Sequence, residues 1–255
     1  MLDFLLQQYR DLLNDLDKSC KAVLTNIVET PCRKGCYDCC KQIFPLSLIE
    51  AFYINQGFQT LEPETRKSLA DKAKKATESL TDLDLFKFET FSDSLEDIAQ
   101  ARNSITKELQ STKISCPLLT PEGTCRLYPY RNHDCRIHGV SIDKSSNEII
   151  GCFRHSKLFN TPDSKQRFTT HAVPSNHLYK EKSKLDSLLT IELGQDPNLG
   201  YCYYFTTPYE PLTEEFTNRD WPKFFEEKLD GKPQTKYSLI IDTTTTTTGH
   251  HALAK

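Results

Sequence analysis

Glycine is scarce in this chain, at nine in 255 residues, and there is one methionine and one tryptophan. Nucleotide and phosphate loops need several glycines within a few residues, because the backbone must approach the ligand closely. No stretch here has that density, which excludes a P-loop and a Rossmann-type S-adenosylmethionine loop. G-x-S-x-G and H-E-x-x-H are also missing. Their absence removes any basis for naming a substrate, although a metal cluster can carry chemistry by itself. No apolar run approaches the roughly 20 residues that cross a bilayer. The N-terminus has Asp3 early and an apolar run broken by Gln7 and Gln8, unlike a signal peptide. The net charge is -3, which gives no electrostatic case for a nucleic acid or an anionic membrane as partner. A cytoplasmic, reducing location follows as the expectation.

What the chain does have is clustered cysteine. Four of its ten cysteines, Cys32, Cys36, Cys39 and Cys40, follow the spacing C-x3-C-x2-C-C. Cys116, Cys125, Cys135 and Cys152 form a second block. A core cysteine is only a small hydrophobe, so packing does not explain such clustering. Thiolates set two or three residues apart on a glycine-containing loop can converge on one ion. Local disulfides are the competing reading, and a reducing compartment disfavours them.

Residues 1–30 read as an amphipathic helical region, with Leu2, Leu5, Leu6, Tyr9, Leu12, Leu13, Leu16, Cys20, Val23, Leu24 and Ile27 at three- and four-residue steps. Cys20 falls on that stripe and reads as core. Pro31 ends the helix. After Cys40, Ser47 can cap a short apolar helix that carries Glu50 and ends near Gly57. Residues 62–80 form a charged, solvated helix, and 93–110 another, with Leu95, Ile98, Ala99, Ile105 and Leu109 facing inward. Glu122-Gly123 reads as a tight turn that brings Cys116 and Cys125 together. Residues 140–142 and 148–153, joined by Lys144-Ser145-Ser146-Asn147, read as a β-hairpin that returns Cys152 towards Cys135. Residues 156–200 hold one helix near 182–193. Residues 201–240 read as an aromatic cover with a helix near 221–229 and Cys202 packed inside. The threonine run from Thr243 and the pair His250-His251 read as a disordered tail.

Eight clustered cysteines admit two four-thiolate sites, one site with spare thiols, or one polynuclear cluster. Side chains of neighbouring residues in extended backbone point to opposite sides. On that reading one of Cys39 and Cys40 turns towards a second site or a second metal atom. A four-thiolate set accepts zinc or an iron–sulfur cluster, a [4Fe–4S] cluster if the metal is iron. Arg33, Lys34, Arg126 and Arg136 flank the cysteines and could lower thiol pKa values. The C-x3-C-x2-C spacing also matches radical S-adenosylmethionine enzymes. Asp38 stands where that family has an aromatic residue, and the chain lacks the strand–helix alternation of a barrel.

Both blocks together resemble the bacterial and archaeal cysteine-cluster family known by its CxxCxxCC motif, the YkgJ-like zinc- or iron-chelating domain. Cys32, Cys36, Cys39 and Cys40 match its first motif, with Ser47 and Glu50 on the helix that follows. Cys116-Pro117-Leu118, Gly123, Cys125, Tyr128, Arg131, Cys135 and Arg136 match the second, and Cys152 the last. Asn132 departs from the family, which has proline there. The match spans residues 32–153. It implies a cytoplasmic domain whose cysteines hold zinc or an iron–sulfur cluster. A related group, the flagellin lysine N-methylases, keeps open an iron–sulfur, S-adenosylmethionine-dependent protein-modifying enzyme.

His133, His138 and His155 lie within three residues of Cys135 or Cys152. They could complete a mixed site or orient thiolates, although a hydrogen-bonded loop histidine is the commoner fate. His171 and His177 have no nameable partner. The expected fold is mainly α, with helices around an irregular cysteine-rich metal-binding centre and a small hairpin. Its parts are an N-terminal helix (1–30), a cysteine-cluster domain (31–155), an aromatic-rich extension (156–241) and a tail (242–255). The leading functional expectation is a metal-binding protein using all eight clustered cysteines. The others are the modifying enzyme and a structural zinc module that docks a protein partner through its N-terminal stripe or aromatic region. Whether the chain catalyses a reaction stays open at this point.

Overall fold

The computed structural model describes residues 1–27, 29–30, 35–80, 87–112, 114–143, 148–196 and 200–242. Cys32, Arg33, Lys34, the turn at 144–147 and the threonine and histidine tail lie outside the described residues. Among the described residues, ten α-helices and seven short strands make a mainly α fold. No helix among the described residues is long and apolar enough to cross a membrane.

The N-terminal stripe forms one helix, α1 (Leu2–Asn26), which buries Leu5, Leu6, Tyr9, Leu13, Leu16, Cys20 and Val23. It packs on α2 (Leu48–Gln59), α5 (His133–Ile137), α7 (Pro162–His171) and α8 (Ser175–Glu192). Ser47 precedes α2, and Glu50 reaches back to its N–H at 2.9 Å and its hydroxyl at 3.0 Å. This reciprocal cap fixes the start of the helix.

Glu50 does more than cap. It is fully buried and pairs at 3.0 Å with Lys182 of α8, which is 4% exposed. The Tyr9 hydroxyl donates to Glu50 Oε1 at 3.3 Å. The His133 N–H at the start of α5 donates to the Tyr9 oxygen at 3.1 Å and to Glu50 Oε1 at 3.2 Å. Asp186 of α8 accepts from the Ile49 N–H at 2.9 Å. A buried charge must be paired and hydrogen-bonded to persist. The four helices are therefore tied to one carboxylate, and α5, which carries Cys135, is held in place by it.

The expected charged helix is α3 (Pro63–Leu80) and the next is α4 (Leu95–Ser111). In α4 Ile98, Ile105 and Leu109 are buried, whereas Leu95 is half exposed. Ala99 also faces solvent, because the buried stripe steps from 98 to 105 and 109 and leaves it to one side.

The C-terminal aromatic region contains strands where the sequence suggests only a cover. β6 (Tyr201–Thr206) and β7 (Tyr237–Asp242) run parallel, paired from Tyr201↔Tyr237 to Phe205↔Ile241. β1 (Leu46–Ser47) and β2 (Lys87–Ser92) complete a sheet of order β1-β6-β7-β2. The central strands are apolar runs, Tyr-Cys-Tyr-Tyr-Phe and Leu-Ile-Ile, without period-two alternation. A strand covered on both faces reads that way. Between β6 and β7 the chain makes the crossover a parallel pair needs, through α9 (Glu214–Thr217) and α10 (Trp221–Leu229). The expected hairpin is present as β3 (Ser141–Asp143) against β4 (Glu148–Ile150), and β5 (Val173–Pro174) adds in parallel to β3. A short helix, α6 (Phe153–Leu158), follows Cys152 directly.

Candidate metal centre

The first cysteine block enters a single tight turn at Asp38–Lys41. The Cys40 N–H donates to the Tyr37 carbonyl at 2.9 Å, and the Gln42 N–H to the Cys39 carbonyl at 3.2 Å. This backbone is wound, not extended, so the reasoning that sends Cys39 and Cys40 to opposite sides does not apply. The two thiols instead act on each other, Cys40 lowering Cys39 and Cys39 raising Cys40.

The second block reaches the first through the backbone. Cys116 N–H donates to the Cys40 carbonyl at 2.7 Å. Leu119 bridges to Cys125, and the Gly123 N–H closes a turn on the Thr120 carbonyl at 3.0 Å. Gly123 has φ +75, a left-handed conformation that costs glycine little. Cys135 arrives on α5, whose start is capped by the Asn132 side chain accepting from the Cys135 N–H at 3.0 Å. The departure from proline at 132 thus supplies an N-cap oxygen that proline lacks.

Five thiols, of Cys39, Cys40, Cys116, Cys125 and Cys135, lie near enough that thiolate charge on one raises others. Burial pushes Cys116 up to about 12 and raises Cys125 and Cys135, and neighbouring thiolates add to all three. Cys40 is raised well above the thiol range by its bond to Cys39, by burial and by Cys116 and Cys135. Cys39 goes the other way, down to about 7, because Cys40 donates to it; burial opposes this, and Arg131 helps. The group therefore holds one easily formed thiolate and several thiols that resist ionisation.

Among the described residues Arg131 is the cation that acts on these sulfurs, lowering Cys39, Cys125 and Cys135. Its guanidinium lies 3.7 Å from the centre of the Tyr128 ring, which steers it. Sequence reasoning took Arg131 for a motif position and looked to its neighbours for charge. Arg136 points away: it pairs with Asp17 and donates to the carbonyls of Arg131 at 2.9 Å and Pro129 at 2.6 Å. Arg126 lines a surface cleft with Glu64, Thr65 and Lys72.

Of the other cysteines, Cys36 is partly exposed in the loop before the turn, and Cys152 is half-buried beside α6. Cys152 Sγ stands 3.5 Å from His155 Nδ1. Asp38, next to Cys39, pairs at 2.7 Å with Arg154, which ties this corner to the cysteine turn. Cys20 and Cys202 are buried, as packing residues. Cys20 Sγ donates to the Arg136 carbonyl at 3.6 Å.

The histidines separate. His133 is buried, with Nδ1 3.2 Å from Asp134 Oδ1 and its ring tilted against that of Tyr179, 4.6 Å between centres. Burial works to raise Asp134, but His133, Lys182 and a 2.7 Å bond from the Tyr179 hydroxyl outweigh it and hold the carboxyl well below its usual range. His138 is pulled down to about 4 by burial and by His155, and its ring meets Phe44 edge-on at 5.4 Å. Burial also lowers His155, against a hydrogen bond to the Gly139 carbonyl.

All nine cysteines among the described residues are free thiols. Among those residues no three Cys, His, Asp or Glu side chains are disposed as ligands of one ion. The thiols are gathered but not set out as a finished coordination shell. Comparison with known protein families, curated proteins and solved structures finds no match to this chain, so its role is argued from its own residues.

Proposed function

We propose that this protein binds a metal, zinc or an iron–sulfur cluster, through its two cysteine blocks. The observation that carries the reading is the 2.7 Å bond from the Cys116 N–H to the Cys40 carbonyl, which brings the 116–125 loop against the 38–41 turn, and it is supported by the electrostatic influence that Cys39, Cys40, Cys116, Cys125 and Cys135 exert on one another. The donor set fits such a group. Crowded buried thiols resist ionising together, and a soft cation reverses that preference by binding them as thiolates. Cys39, Cys40, Cys116, Cys125 and Cys135 would hold it, with Cys36 and Cys152 close by in the chain and Cys32 added by the motif spacing. Five cysteines exceed the four that one tetrahedral ion or one iron–sulfur cluster takes, which favours a second metal position. The resemblance to the YkgJ-like family points the same way. When bound, the group would supply cross-linking between distant segments, and redox chemistry if it contains iron.

The test is metal and acid-labile sulfide content, with a visible absorption spectrum, on anaerobically purified protein. Iron with matching sulfide supports a cluster, and zinc without sulfide a thiolate site. Protein that carries no metal and takes up neither zinc nor iron when reduced would overturn the proposal.

A further inference from the structure

We infer that Cys40 and Cys116 form a reversible disulfide that locks the two cysteine blocks together, with a low-molecular-weight disulfide such as glutathione disulfide as the oxidant. The inference stands on the junction between the blocks and does not depend on what the cysteines bind.

The Cys116 N–H donates to the Cys40 carbonyl at 2.7 Å. The covalent lengths on either side of that contact keep the two Cα atoms within about 6.6 Å of each other. A disulfide spans Cα atoms about 4.4–6.8 Å apart, so this pair lies in the range that closes without moving the backbone. Charge on Cys116 also acts on Cys40, so the side chains as well as the backbones are near one another. Both are half-buried, which leaves each open to a small reagent. The other pairings lack this combination. Neighbouring Cα atoms lie about 3.8 Å apart, too close for an unstrained Cys39–Cys40 bridge. Cys125 is held opposite Leu119, and Cys135 lies within α5.

The exchange takes two displacements. One protein thiolate attacks a sulfur of glutathione disulfide and releases a glutathione thiolate, which leaves a mixed disulfide on the chain. The other cysteine, as thiolate, attacks the protein sulfur of that mixed disulfide and releases the second glutathione. Two protein thiols are oxidised to one disulfide, one glutathione disulfide is reduced to two thiols, and the two protein protons go to the released glutathione. The product closes the long loop between the blocks and withdraws two of the five cysteines proposed to hold a metal.

The test equilibrates the full-length reduced protein, without denaturant, in glutathione buffers of graded thiol-to-disulfide ratio. Samples are acid-quenched, alkylated, digested and mapped by mass spectrometry. Reading the product at equilibrium lets any thiol open the exchange. The expected result is a cross-linked Cys40–Cys116 peptide as the main product, reversed by excess glutathione thiol. The oxidised protein should also have a higher urea midpoint, because the link closes a loop of about 75 residues. Cys40→Ser and Cys116→Ser should each abolish the cross-link, and should need a ratio at least about 10-fold more oxidising before any protein disulfide forms. Cys202→Ser should change neither. A main product that joins Cys39 to Cys40 or Cys116 to Cys125, or mixed glutathione disulfides alone, would overturn the inference and leave the metal proposal untouched.

Discussion

Cys116 donates its backbone N–H to the carbonyl of Cys40 at 2.7 Å, and that bond joins the two cysteine blocks. A metal held by Cys39, Cys40, Cys116, Cys125 and Cys135 would reinforce the same junction and close the long loop between the blocks. Binding energy spent there is folding energy. Cys116→Ser and Cys135→Ser should therefore lower metal content and melting temperature together. Cys202 is 1% exposed in β6, away from the junction. Cys202→Ser should cost about 1–2 kcal/mol of stability as a buried polar replacement and leave metal content unchanged. Elemental analysis and thermal melts of the three variants decide it. Equal metal in all three would sink the assignment.

The buried Glu50–Lys182 pair makes a second prediction. Removing one partner strands a charge in a site with no water to solvate it. Lys182→Met should cost about 3–5 kcal/mol, measured by urea unfolding. The double variant Glu50→Gln with Lys182→Met should recover part of that loss, since neither charge remains. If the double variant is as unstable as the sum of the two singles, the residues are uncoupled and the pair is not what ties α2 to α8.

Asp186 gives the pH dependence. Burial, with Glu50 nearby, raises its carboxyl to about 7, while Lys182 and the Ile49 N–H pull against the rise. A carboxyl whose folded pKa lies above its unfolded value of about 3.9 binds its proton more tightly when folded. Its contribution is complete below the unfolded pKa and is lost as pH rises through about 7. Stability should thus fall between about pH 4 and pH 7 by a few kcal/mol at most on account of this group. Asp186→Asn keeps an oxygen for the Ile49 N–H and should flatten that part of the profile. Urea midpoints of wild type and variant at pH 5 and pH 8 measure it. A wild-type difference that the variant retains in full would assign the dependence elsewhere.

The helices α1 and α2 were legible because Leu5, Tyr9, Leu13, Leu16, Cys20 and Val23 recur at helical spacing and Ser47 with Glu50 announces a cap, whereas α7 and the first two turns of α8 were missed where residues 156–200 read as one helix near 182–193. The pairing of 141–143 with 148–150 was legible from the turn residues Lys144-Ser145-Ser146-Asn147 that separate the two runs. The strands at 201–206 and 237–242 were not, because a doubly covered strand shows no alternation and its partners lie far off in sequence. The cysteine blocks were visible as a donor set. That Arg131, and not Arg136, turns to the sulfurs was invisible, since it depends on where the Tyr128–Arg131 turn points. The burial of Lys182 and Asp186 was invisible too, since it depends on Glu50 pairing with Lys182 and on the Ile49 N–H donating to Asp186.

Gly57 tests the support beneath that turn. It lies inside α2, where alanine in place of glycine ordinarily gains about 1 kcal/mol. Here a Cβ would come within 2.6 Å of Tyr130 Cδ2 and 2.9 Å of its Cβ. Tyr130 cannot simply swing aside. Its ring packs on Tyr53 at 5.2 Å, and the Tyr53 hydroxyl donates to the Pro129 carbonyl at 3.2 Å. The clash should outweigh the helix gain, so Gly57→Ala is expected to destabilise by about 1–3 kcal/mol. Because Tyr130 leads into Arg131 and the capped turn before Cys135, the variant should also bind less tightly any metal the cysteines take up. A urea midpoint above that of the wild type would mean that Tyr130 yields freely, and that the turn presenting Arg131 to the thiols is not braced by α2.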